Sequence, residues 1–136
     1  MPPAAKQNDS IFGNDTHRVL VPAGTGTVPT PLPGHIFDAP LSAGLSDDVL
    51  IQGKKAAVVG SKAFTSLARH QPMPPGVAFE KPPNFQGEIT RGSSTVFING
   101  KAAARAGDPA LTCNDLGLQP PGTSVVRVSN STVNIG

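Results

Sequence analysis

The sequence predicts an all-β protein, one small domain of repeated β-hairpins in a pseudo-three-fold arrangement with long proline-rich loops. Three observations carry that expectation. Short Val/Ile-rich runs alternate with turn residues, the pattern of short strands rather than helices. The chain has 15 Gly and 15 Pro in 136 residues, no Trp or Tyr and six Phe, so no large aromatic core is available. Finally, one unit recurs along the chain.

Taken in order, the opening stretch MPPAAKQNDS carries one lysine and no apolar run, and no later segment approaches the roughly 18 apolar residues of a membrane span. A soluble protein without a cleaved signal is expected, made and kept in the cytoplasm. Two segments, Pro22–Gly34 and Gln71–Gly87, are too proline-dense for central strands or helices. They are read as ordered surface loops with His35 and His70 near their ends, the plain alternative being mobile linkers.

The segment SDDVLIQGKKAAVVGSKAFTS from Ser46 lies over SSTVFINGKAAARAGDPALTC from Ser93 at a constant offset of 47 residues. Val49, Ile51, Gly53, Lys54, Ala56, Ala57 and Gly60 meet Val96, Ile98, Gly100, Lys101, Ala103, Ala104 and Gly107. A third copy begins at SNSTVNIG, Ser129 to Gly136, with Val133 and Ile135 on Val96 and Ile98 at an offset of 37. The repeat units span approximately 42–70, 88–113 and 124–136 of a single domain, 1–136. In each unit valine and isoleucine share one strand face, and Asn99-Gly100 supplies the two positive-φ positions of a type I′ turn. Gln52-Gly53 is a weaker version of the same turn. The third copy ends as a lone strand, whose edge must be paired by another strand of the chain or by a partner. Between valine and isoleucine stand Leu50, Phe97 and Asn134, pointing to the opposite face, either under the proline-rich loops or toward a partner.

A net charge of +2 and a pI near 9.0 come from scattered Lys and Arg without interleaved aromatic residues, which excludes nucleic-acid binding as a leading reading. So little large apolar surface calls for an extra fastening, a metal or a partner.

The single cysteine, Cys113, cannot close a disulfide within its own chain. With His17, His35 and His70 it makes four soft or borderline ligands, the number a tetrahedral zinc site needs. Their spacing matches no zinc finger, so unrelated histidines and a small buried thiol stand as the alternative. The repeat adds a hint, because Cys113 follows the hairpin of copy two and His70 follows that of copy one, four residues beyond the strict match at Ser66.

The phrase VFINGKAAARAGD followed by a cysteine, its degenerate upstream copy and the opening NDTH at Asn14–His17 resemble PAAR-repeat proteins. These are the tip proteins of contractile injection machines, type VI secretion systems and phage-tail-like extracellular injectors. The resemblance covers nearly the whole chain, although copy one reads VVGSK at Val58–Lys62 and lacks the Gly-Asp kept at Gly107-Asp108. It implies a small cone seated on a trimeric VgrG-like spike, with one structural zinc per chain held by His17, His35, His70 and Cys113 near the point. Three similar edges around one axis imply one copy per trimer, with Leu50, Phe97 and Asn134 as the contact. The implied role is mechanical: capping the spike and helping pierce a target envelope, cytoplasmic before firing and then extracellular or delivered into the target cell. The chain ends on its last strand, so no fused effector domain is expected, and any effector would be carried non-covalently. The rival reading is an effector-recruiting adaptor. Catalysis is not expected, since four protein ligands close a zinc shell and Cys113 follows a hairpin without a helix N-terminus to activate it. Asp15-Thr16-His17 reads as a turn or a supporting feature.

Overall fold

The computed structural model describes residues 1–113 and 124–136. Among these the chain forms eleven strands and no helix: β1 (Ser10–Ala23), β2 (Gly26–Ala43), β3 (Leu50–Ile51), β4 (Lys54–Lys55), β5 (Lys62–Phe64), β6 (Ala78–Phe79), β7 (Gln86–Ile89), β8 (Phe97–Ile98), β9 (Lys101–Ala102), β10 (Pro109–Leu111) and β11 (Ser124–Arg127). The all-β expectation holds.

The two complete hairpins form as the sequence predicts, β3 with β4 and β8 with β9, both antiparallel. A type I′ turn needs left-handed backbone at two successive residues. Gln52 and Gly53, at φ 52° and 78°, match Asn99 and Gly100, at 53° and 78°. Ahead of each hairpin a serine hydroxyl accepts the valine N–H, Ser46 from Val49 at 3.1 Å and Ser93 from Val96 at 2.9 Å. That bond corrects one expectation. It turns the chain just before a two-residue strand, so Ile51, Ile98 and Ile135 are buried while Val49, Val96 and Val133 are exposed.

The lone strand of the third copy is completed by the chain's own N-terminus. Ala4 N–H donates to the Val133 carbonyl at 2.8 Å, the bond that Ala56 makes to Val49 and Ala103 to Val96 at 3.0 Å each. Aligned on these bonds, Ala4–Asp9 falls on Ala56–Ser61 and Ala103–Asp108. Asn8, Gly60 and Gly107 then share positive φ of 73°, 94° and 84°. Asp9, Ser61 and Asp108 each accept the N–H three residues before them, from Lys6 at 3.0 Å, Val58 at 3.0 Å and Arg105 at 2.7 Å. One hairpin is therefore divided between the two ends of the chain, its turn replaced by the termini.

The three units meet at the axis. Ala5 N–H donates to the Ala104 carbonyl at 2.9 Å, Ala104 to Ala57 at 3.0 Å and Ala57 back to Ala5 at 3.0 Å, a closed ring of one bond per repeat. On one side of this ring Ile51, Ile98 and Ile135, one from each repeat, pack with Ala4, Ala56, Ala103 and Val58. On the other, six strands in the order β1-β2-β5-β7-β10-β11 close on themselves through pairing of β11 with β1. Ile11, Phe37, Leu41, Ile89 and Val126 fill the space they enclose.

The segment Pro22–Gly34 is not a loop. It forms the end of β1 and much of β2, paired from Val19↔Thr30 out to Ala23↔Gly26. Proline is tolerated because Pro29, Pro31 and Pro33 alternate, which turns their missing N–H groups to one edge, and among the described residues β2 takes a second partner only at Leu41–Ala43. The segment Gln71–Gly87 is the ordered connection that was expected, interrupted by β6 and leading into β7.

Because the ring alanines are fully packed, Ala57→Val should force the repeats apart and cost about 1–3 kcal/mol in urea unfolding, while Ala23→Val on the exposed hairpin end stays near neutral. Equal midpoints for the two variants would show that the ring is not under steric constraint.

Candidate metal centre

The site is built by strand alternation. Along β1, Ile11, Gly13, Asp15, His17 and Val19 are buried, and the residues between them face outward. A register shift between Asp15 and His17 in the β1–β2 ladder gives this stretch its local irregularity. Gly13 is required by close approach, since a Cβ there would run into the side chain of Ser124. The space it leaves holds a buried relay in which the Thr112 hydroxyl donates to Asp15 Oδ1 and lies 2.9 Å from Ser124 Oγ.

Two other repeats deliver the remaining donors. His70 ends a turn closed by its own N–H on the Ser66 carbonyl at 2.9 Å, and Cys113 follows β10. The His70 Nδ1–H donates to the Ile36 carbonyl at 2.9 Å, which fixes the tautomer and leaves a lone pair on Nε2.

Asp15, His17, His70 and Cys113 are all buried and place one ligand atom each within 4.8 Å of every other. His17 Nε2 and His70 Nε2 are 3.0 Å apart, and Cys113 Sγ lies 3.8 Å from His17, 3.4 Å from His70 and 3.4 Å from Asp15 Oδ2. Asp15 Oδ2 is 3.9 Å from His17 Nε2 and 3.5 Å from His70 Nε2. A zinc ion with bonds of ~2.0–2.3 Å has tetrahedral edges of about 3.3–3.6 Å, so these six separations describe a vessel of the right size. The charge fits as well: a thiolate, a carboxylate and two neutral imidazoles balance a divalent cation, which a buried site requires.

The environment reinforces this. Burial first, and then the Asp15 carboxylate, pushes the Cys113 thiol well above its usual range. Burial lowers the pKa of His70, and burial followed by the neighbouring His17 lowers that of His35. Phe79 covers the group from outside, its ring centroid 5.1 Å from that of His17 and stacked on His70 at 6.3 Å.

Of the residues singled out in the sequence, His17, His70 and Cys113 converge. His35 stands beside them, opposite Asp15 across the β1–β2 ladder, its ring centroid 5.0 Å from that of His17. Its Nε2 accepts the Met73 N–H at 2.9 Å, and its Nδ1 is buried without a hydrogen-bond partner. The fourth donor atom within reach of the other three comes from Asp15, which lies on a strand and not in a turn. Its signal was its position two residues before His17, on the same strand face. Leu50 and Phe97 are each 60% exposed and Asn134 is exposed, so all three sit away from the metal-type site on the outside of the hairpins.

A hairpin-repeat barrel with a buried donor cluster at one end defines a class of small, three-fold β-proteins. The PAAR motif family model matches residues 79–136, which hold the second repeat and the C-terminal strand of the third, so this part of the chain is similar to PAAR-motif proteins. A search of curated proteins finds no match to it.

The buried donors predict a two-sided pH profile for the metal-free chain. His35 and His70 resist protonation when folded, so the unfolded chain binds more protons below about 6.5 and stability should fall as pH drops through that value. Cys113 resists ionisation when folded, so stability should also fall as pH rises above 9.0, the ordinary thiol value. With zinc bound the thiolate is already formed and the alkaline loss should vanish, whereas the acid loss steepens because protons compete with metal. Urea unfolding with and without zinc across this range reads both arms; a flat metal-free profile would mean the donors are solvated.

Proposed function

We propose that this protein caps a trimeric VgrG-like spike of a contractile injection machine, one copy per trimer, with a structural zinc stiffening the end away from the spike. The observation that carries the reading is the closed three-repeat ring, which gives a single chain a pseudo-three-fold end able to sit on a three-fold partner. That end displays Leu50, Phe97 and Asn134 at equivalent positions, two of them large and apolar. Docking would cover the apolar surface that the small isoleucine cluster behind it cannot. The zinc would be held by His17, His70 and Cys113 with Asp15 in the fourth position and His35 next in line. Four protein donors leave no place for a substrate water, so the metal's role is structural. In this reading the protein is cytoplasmic before firing and leaves the cell on the spike.

A second reading, an adaptor that recruits a delivered effector, draws on a groove of about 560 Å³ lined by Leu67, Pro72, Val77, Phe79, Pro82 and Phe85. It is tested by looking for a stable complex with a toxin or chaperone when no spike protein is present.

Mixing the chain with the spike trimer of its own machine and measuring complex mass should give one copy per trimer. Phe97→Asp should weaken that complex at least tenfold, by losing a buried aromatic contact and burying a charge, without loss of bound zinc. Three copies per trimer, or no binding, would overturn the capping role.

A further inference from the structure

Every donor of the cluster is enclosed, Asp15 and His17 fully and His70 and Cys113 almost so. A metal reaches them only if part of the wall moves. On the barrel side Phe37 is fully buried with its ring centroid 6.0 Å from that of His70, and Ile11, Leu41 and Ile89 fill the space behind it. Along the strands, the β1–β2 ladder holds the wall shut. The outward side is different. It is closed by the connection 71–87, in which no residue from 71 to 86 is buried and five prolines leave few amides to pair. Its middle is fastened to β1 by the two-residue β6, with the Val77 N–H on the Leu20 carbonyl at 2.9 Å and the Glu80 N–H on the Arg18 carbonyl at 3.0 Å.

This strap nonetheless meets the cluster three times. The Met73 N–H donates to His35 Nε2, the Phe79 ring lies against His17 and His70, and the Phe85 N–H is directed at the Cys113 sulfur, where it favours the thiolate. Phe85 holds that aim at φ 57°, a left-handed conformation that an aromatic residue seldom adopts. Once Cys113 is a thiolate, as metal binding requires, the Phe85 bond becomes charge-assisted and the strap is drawn down. Beyond it lies open space. Phe79 and Phe85 also line the groove of about 560 Å³, together with Leu67, Pro72, Val77 and Pro82. One half-buried aromatic ring therefore divides a sealed donor cluster from a groove with room to receive it.

We propose that the 71–87 strap is the gate of the metal centre: Phe79 swings into the groove as β6 lifts from β1, and this opening, not unfolding of the barrel, sets the rate of metal exchange. The gate rests on the zinc reading and adds a division of roles, in which the buried donors set affinity and the strap sets exchange.

The test mixes the whole zinc-loaded chain with an excess of the chromogenic chelator pyridylazoresorcinol and follows zinc release. The native chain should release one zinc per chain at a rate nearly flat in urea below the unfolding transition, since a local opening exposes little surface. Phe79→Ala should release it roughly tenfold faster, from the half-buried ring it loses, with the same flat dependence. Phe12→Ala, which removes a half-buried ring lying under Arg127 on the barrel wall, should match the native rate. Hydrogen exchange on the unaltered chain gives a second reading. The Val77 and Glu80 amides should exchange faster than those of Ala5, Ala57 and Ala104, and should slow when zinc is added. A native rate that climbs steeply with urea, equal rates for Phe79→Ala and the native chain, or Val77 and Glu80 amides as slow as those of the alanine ring would each overturn the gate and leave the zinc reading standing. A native chain that holds no zinc would overturn both.

Discussion

Three buried alanine amides, each donating to the carbonyl of the next repeat, set the geometry of the whole molecule. The Ala5–Ala104–Ala57 ring fixes the axis and brings three backbones so close that side chains beyond a methyl have no room there. The cost is a thin core. Apolar burial is confined to an isoleucine cluster on one side and a narrow barrel on the other, so hydrophobic area alone leaves little margin.

The donor cluster answers that weakness at the other end of the barrel. His17 lies on β1, which continues the divided third repeat; His70 follows the first repeat and Cys113 the second. A metal there would tie one donor from each repeat to a single point, as the alanine ring ties one amide from each. Structural zinc contributes on the order of 10 kcal/mol of apparent binding free energy near neutral pH, comparable with the whole stability of a small domain. With both fastenings in place, the barrel would be braced at the centre and at one end.

Much of this was legible in the sequence because the turns are chemically explicit. Asn99-Gly100 and the matched Ser, Ile and Ala positions allow few conformations other than a hairpin. The N-terminal half of the third hairpin was not legible, since Ala4–Asp9 shares with its counterparts only two alanines, a residue suited to positive φ and a capping side chain. Pro22–Gly34 misled for a different reason: proline excludes a strand paired on both sides, and β2 there is paired on one. In the site, three of the four convergent donors followed from counting soft ligands. Asp15 did not, because a carboxylate two residues from a histidine is ordinary until the strand face they share is known to be buried.

The donors of the three repeats lie close enough to meet at one metal through a thiolate and imidazoles. Loading the native chain with cobalt(II) in place of zinc and recording its visible spectrum tests this most directly. One cobalt per chain is expected, with the intense ligand-field bands of a tetrahedral ion and a thiolate-to-cobalt charge-transfer band. Weak bands of an octahedral, water-ligated ion with no thiolate transition would contradict it.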